Sequence, residues 1–131
     1  ASQTQIATGE TAMCFCWEAR IGNVIKDGAP VGVQWNQHVA TLDYLVVPKG
    51  SKNKELAMQF INHAVSAKGQ AEMAEGARVA PINSKSRELI SPDVWPMLNA
   101  AYPDQAVDVQ LDFWLENGAA IAERWAQWKV Q

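Results

Sequence analysis

The side chains of this sequence whose types and spacing could do chemistry are few: Cys14 and Cys16, His38 and His63, Asp43, and Arg20 three residues after Trp17. A thiol beside an imidazole would be a nucleophilic pair, but a reactive thiol needs an exposed, electropositive setting. His63 sits within the pattern Phe60-Ile61-Asn62-His63-Ala64, which reads as helix, so enzymatic chemistry is not expected. Cys-x-Cys with two isolated histidines lacks the spacing of a zinc cluster, and neither metal nor cofactor is expected. The two thiols stand two apart in an apparent strand, on one face, which is poor geometry for a mutual disulfide. They read as buried free thiols.

Asp43 lies in the β-branched and aromatic run TLDYLVV, residues 41–47. A carboxylate in such a strand is either satisfied by backbone amides or a lysine, or faces a cation that offsets its desolvation. Arg20 is by default a solvated surface arginine. Trp17, at a strand terminus, has the amphipathic character of an edge residue.

The bulk composition narrows the class. The chain has 131 residues, 48% hydrophobic and 19% charged, which is enough for one domain with a real core. Eleven basic against fourteen acidic residues give a net charge of -3, with no basic stripe, so nucleic acid is not an expected partner. No run of about 18 apolar residues suggests a membrane helix. The N-terminal ASQTQIATGETAM lacks the regions of a signal peptide, and the expectation is a mature protein or a piece of one.

These residues must be positioned by the following elements. TAMCFCW, 11–17, is short and apolar, as in a buried strand; EARIGNVIKDG reads as a short helix stopped at Asp27-Gly28. VGVQW, 31–35, alternates like a half-buried strand, and 41–47 is the next strand, ended by Pro48. Asn53 is a candidate cap for a helix with Leu56, Ala57, Phe60, Ile61, Ala64 and Val65 on one face. Ser66 caps a second helix that precedes Gly76. Residues 77–85 read as a loop containing Pro81, and Ser91-Pro92-Asp93 opens a third helix over about 92–101. YPDQAVDVQ is irregular; Phe113 and Trp114 start a short helical piece, and Gly118, Ile121, Ala122, Trp125 and Trp128 mark a terminal helix. Three strands with four or five helices leave sheet edges unpaired. Strands from chain preceding residue 1, or from a second copy, would pair with them.

Taken together, GETAMCFCWEAR, GAPVGVQW, LDYLVVPKGSKNKELAMQFINHA, APINSKSRELISPDV and FWLENGAAIAERWAQW follow the order of parts in the C-terminal third of the extracellular solute-binding proteins of ABC transporters. The spermidine/putrescine-binding branch is the one the chain resembles. The resemblance implies an α/β fold, the C-terminal part of a two-lobe type II periplasmic binding protein, with an incomplete sheet and a helical C-terminal region. Residues 1–40 would belong to the ligand lobe and 41–131 to a hinge strand and helical part, with the N-terminal half absent. The implied role is periplasmic capture of a small amine-bearing solute and its delivery to an ABC permease.

By the same resemblance, Trp17 matches a residue that packs against ligand, and Asp43 matches a hinge acid that pairs with a ligand amine. Polyamine binders often carry an aromatic residue at the position of Thr41 and a tyrosine at that of Val79; both are missing here. Glu18-Ala19-Arg20 stands where the family often has Asn-Gly. Arg20 could hold a carboxylate bidentately, Asp43 an amine, and Trp17 the chain between. An ω-amino acid such as γ-aminobutyrate fits that arrangement, with a polyamine as the other amine-bearing solute. Thr41 and Trp114 complete the expected ligand-binding set, whereas Trp35 reads as hinge packing and Trp125 and Trp128 as helix packing. A self-associating module without ligand binding is the reading from a different class.

Overall fold

The computed structural model describes residues 2–130. Its organising element is the helix α4, Ala67–Ala77, numbered after α1 (Ser2–Ala7), α2 (Glu18–Lys26) and α3 (Lys54–Ala64). Ala71 and Ala74 of α4 are buried against Ile90, Val94 and Leu98, with Ala80 and Trp95 packed around them. Small residues on the helix let the 84–101 segment lie close. That segment is a 3₁₀ turn, Ser84–Leu89, followed by two more, Trp95–Met97 and Asn99–Ala101. The continuous helix expected over about 92–101 does not form. Pro96 has no N–H to donate and its ring crowds the preceding turn, so the backbone closes short turns instead.

Both ends of α4 are capped. Ser66 Oγ accepts from the Gly69 N–H at 3.0 Å, satisfying one of the orphan donors of the first turn. Ser66→Ala is expected to cost about 1 kcal/mol of stability, read as a lower urea midpoint at unchanged slope. Gly76 is not the terminator; the helix runs one residue further and Arg78 adopts the left-handed cap at φ 57°. The Arg78 guanidinium donates to the carbonyls of Glu75 and Ala74, which holds this non-glycine residue in place. Its aliphatic stem lies over Gly22 of α2, where an added Cβ would stand 2.7 Å from Arg78 Cγ. The glycine therefore sets the approach of α2 to α4.

Side chains pin the loops to this body. Gln70 Oε1 accepts from the N–H groups of Ile82 and Asn83 at 2.9 and 2.7 Å, so the proline loop is a structural connection. Glu75 accepts from the Ser91 N–H at 2.6 Å, and that bond holds its carboxyl below the usual range. Glu18 of α2 accepts from the Asn99 N–H at 3.0 Å. Trp35 stacks on Tyr102 with centroids 5.6 Å apart and meets His38 edge-on at 5.7 Å, the packing role expected of it.

The sheet differs from expectation. Two parallel strands form, β1 (His38–Ala40) and β2 (Ala106–Asp108), in register His38 with Ala106 and Ala40 with Asp108. The runs 11–17, 31–35 and 41–47 are not strands, because among the described residues no neighbouring segment completes a hydrogen-bonded ladder with them. For the same reason the thiols are not buried: Cys14 is exposed and Cys16 partly so. β2 falls in the stretch read as irregular, and α1 was not anticipated. The C-terminal helix α5 is one element, Leu111–Trp128, rather than two pieces. On the apolar face of α3, whose helical period was legible, Ala57, Ile61 and Ala64 are half-buried while Leu56 and Phe60 are exposed.

Candidate functional site

In a parallel pair both strands leave the sheet at the same edge. Thr41 follows directly on Ala40 of β1, with Asp43 two residues further, while β2 ends at Asp108 and α5 starts at Leu111. The register thus sets Thr41, the residue after β1, at the carboxyl edge, with Trp114 near the start of the helix that follows β2; Asp43 lies three residues beyond β1. In open α/β sheets that edge is where ligands are held.

An open groove of about 680 Å³ lies at this edge, lined among others by Val39, Val107, Asp108, Phe113 and Trp114. Its walls are apolar, with Asp108 among the lining residues, and Phe113 meets Trp114 edge to face at 5.7 Å. An aliphatic ammonium suits such a surface: methylenes gain from the apolar wall, and the cation gains from carboxylate and aromatic face. Asp108 and Phe113 were missed in the sequence as groove residues. The signal available was the alternation Ala106-Val107-Asp108-Val109, a half-buried strand pattern inside a stretch rich in turn residues.

Trp17 and Arg20 stand elsewhere in the local architecture. Trp17 is the N-cap residue of α2, extended at φ -66° and ψ 136°, and its ring is 66% exposed. Arg20 lies in the first turn of α2, exposed. Asp43 and Thr41 are also exposed, and no ion pair joins Arg20 to Asp43; the ion pair present among the described residues is Lys68 with Glu72 at 3.8 Å. Of the five expected residues, Trp114 lines this groove and Thr41 follows directly on β1, whereas Asp43 is not among the groove's lining residues and Trp17 and Arg20 lie at the start of α2.

Burial pushes the Cys16 thiol above its ordinary value, and the adjacent Cys14 adds to this, with Arg20 acting against it. A raised thiol is a poor nucleophile at neutral pH. His38 Nδ1 is engaged with the Trp35 carbonyl at 2.9 Å. Among the described residues, no group of three or more His, Cys, Asp or Glu could hold a metal ion, and no helix is long and apolar enough to cross a membrane.

Burial also raises the half-buried Glu18 carboxyl, with the Asn99 N–H and nearby His38 opposing. The folded state then holds its proton to higher pH than the unfolded chain does, so this group lowers stability as pH rises from the ordinary carboxylate range through the raised value. Glu18→Gln, which keeps an oxygen for the Asn99 N–H, is expected to remove that fall. Urea midpoints measured over this interval would differ most from the parent at its upper end; parallel curves would count against it.

Parallel strands flanked by helices, with an aromatic-lined groove at the carboxyl edge, are the architecture of part of an α/β fold. The bacterial extracellular solute-binding protein family matches residues 1–104, and the chain belongs to that family. The gamma-aminobutyric acid-binding protein of Pseudomonas aeruginosa is 26% identical over 96% of this chain and 36% of its own length. The spermidine/putrescine-binding periplasmic protein of Salmonella typhimurium is 30% identical over 73% of this chain and 28% of its own. Among solved structures, a GABA receptor superposes with a TM-score of 0.82 at 36% identity, covering 97% of this chain and 40% of the receptor. The PBP AgtB of A. tumefaciens R10, in complex with agropinic acid, gives 0.74 at 29% identity, covering 98% of this chain and 42% of AgtB. The chain thus spans less than half the length of each of these relatives. The α/β fold expected from the sequence is that of the periplasmic binding proteins. These relatives are solute-binding proteins, not enzymes.

Proposed function

We propose that the protein to which this chain contributes is a periplasmic receptor that captures a small amine-bearing solute for an ABC permease, without covalent chemistry. The preferred solute is an ω-amino acid such as γ-aminobutyrate. The observation that carries this reading is the apolar and aromatic groove at the carboxyl edge of β1 and β2, with Trp114 in its lining. Relatives named for γ-aminobutyrate and for spermidine and putrescine support the amine.

In this reading Asp43 holds the ammonium and Trp114 and Trp17 cover the methylenes. Thr41 lines the site where polyamine binders want an aromatic ring, and Arg20 takes the solute carboxylate when the lobes close. A carboxylate recognised by a guanidinium gains two parallel hydrogen bonds. Residues 1–40 serve the ligand lobe, and 41–131 the hinge and helical part. Closure needs a second wall, so the 131-residue chain alone binds weakly or not at all.

Calorimetry of the complete protein with γ-aminobutyrate, putrescine and spermidine tests the assignment. Tighter binding of γ-aminobutyrate than of either polyamine is the expected result. Binding of diamines but not of ω-amino acids would remove the role given to Arg20.

A further inference from the structure

Glu18 is a half-buried carboxyl that the capture of solute described above leaves without a part, although it stands between Trp17 and Arg20 in the chain. Trp17, the N-cap of α2, offers no side-chain bond to the helix, so the first turn is closed by backbone alone, with the Arg20 and Ile21 N–H groups on the Trp17 carbonyl at 3.0 and 3.1 Å. A first turn without a side-chain cap is the part of a helix that opens most readily. What ties it to the body is a long-range bond: Glu18 accepts from the Asn99 N–H at 3.0 Å, across 81 positions of chain. Further along, Gly22 lies against the Arg78 stem, so α2 is held in its middle by packing and at its start by Glu18.

The groups around this carboxyl lead to the other end of the expected site. The Asn99 carbonyl accepts from the Tyr102 N–H, Tyr102 stacks on Trp35, Trp35 meets His38, and His38 is near enough to Glu18 to act on its charge. His38 begins β1, the strand that runs on to Thr41 and Asp43. A carboxyl in this place is costly, because burial holds its proton above the ordinary range while a neutral amide would accept the same bond without that penalty. Groups perturbed in this way gather at functional sites. We propose that Glu18 is a positioning residue for solute length: its bond to the Asn99 backbone fixes the first turn of α2 against the root of β1, and with it the span between the Arg20 guanidinium and the Asp43 carboxylate. A fixed span accepts one number of methylenes between carboxylate and ammonium; a loose one accepts several. This role rests on the ligand contacts proposed above for Arg20 and Asp43, and adds what sets the distance between them.

Calorimetry of the complete protein with β-alanine, γ-aminobutyrate and 5-aminovalerate, each longer than the last by one methylene, tests this role together with backbone amide exchange. The parent is expected to bind γ-aminobutyrate at least about tenfold more tightly than either neighbour, the discrimination that one methylene carries. In Glu18→Ala, which removes the acceptor, that ratio should fall below about threefold, and the Arg20 and Ile21 amides should exchange at least about tenfold faster with α4 unchanged. Asn99→Pro removes the donor instead, at the first position of a 3₁₀ turn where proline is tolerated, and should flatten the ratio as well. Glu18→Gln, which keeps an oxygen for the Asn99 N–H, should retain the parent's ratio. An equal loss of affinity for all three solutes in Glu18→Ala, or a ratio lost in Glu18→Gln, would make the residue a structural one and overturn the role. A parent that binds no ω-amino acid would overturn the proposed function and this role with it; a parent that prefers γ-aminobutyrate while Glu18→Ala and Asn99→Pro keep that preference would overturn the role alone.

Discussion

Leu98→Ala is expected to lower the unfolding free energy by about 2–5 kcal/mol, the range for a leucine deleted from a packed interior. Leu98 is fully buried, in a core whose other members are Ala71, Ala74, Ile90 and Val94. Two of those four are alanines, which have no longer side chain to swing into the void, so relaxation is limited. Against a total stability of about 5–15 kcal/mol for an ordinary domain, such a loss leaves little folded protein under mild denaturant. Phe60→Ala makes the contrast: its ring is 63% exposed on α3, and the change should fall within about 0.5 kcal/mol. Urea titrations of both variants decide the matter. A larger loss at Phe60 than at Leu98 would place the core in the wrong half of the chain.

Asp43→Asn in the complete protein is expected to weaken binding of the amine by about 2–5 kcal/mol, as when one partner of a desolvated charge pair is removed. At about 1.4 kcal/mol per decade this is a loss of roughly 30-fold to several thousandfold in affinity. The substitution keeps shape and removes charge. In the 131-residue chain Asp43 is exposed and has no ion-pair partner among the described residues, so stability there should be unchanged within about 0.5 kcal/mol, which separates binding from folding. Calorimetry with γ-aminobutyrate reads the first effect and urea titration the second. Undiminished affinity in Asp43→Asn, lost instead in Asp108→Asn, would move the amine to the acid of the groove.

The parts of this protein that were legible in its sequence are those stabilised by near neighbours. α2 and α3 follow from apolar residues at helical spacing, and α4 from the same period with a serine cap, because helical hydrogen bonds close within four residues. Where a local signal is overruled by another local group, the error is short: Pro96 converts an expected helix to 3₁₀ turns, and Arg78 takes the cap expected near Gly76. Of the expected site residues, Asp43 came from the resemblance to a known pattern of parts, Thr41 from a departure from that pattern and Trp114 from its place at the start of a helix. Asp108 was not, since neither its strand nor its groove leaves a mark stronger than a brief alternation.

The sequence by itself determined α2, α3 and α4, the serine cap of α4 and the family. Family membership was readable because the order of segments is a one-dimensional property. Tertiary structure alone decided which extended segments became strands, for a strand is made by hydrogen bonds to a neighbour distant in the chain. His38–Ala40 found Ala106–Asp108, whereas the more strand-like 41–47 found no partner among the described residues. It also decided that Val39 of one strand and Val107, Phe113 and Trp114, from the other strand and the helix after it, line one groove. No spacing along the chain encodes that meeting, since parallel register joins residues more than sixty positions apart.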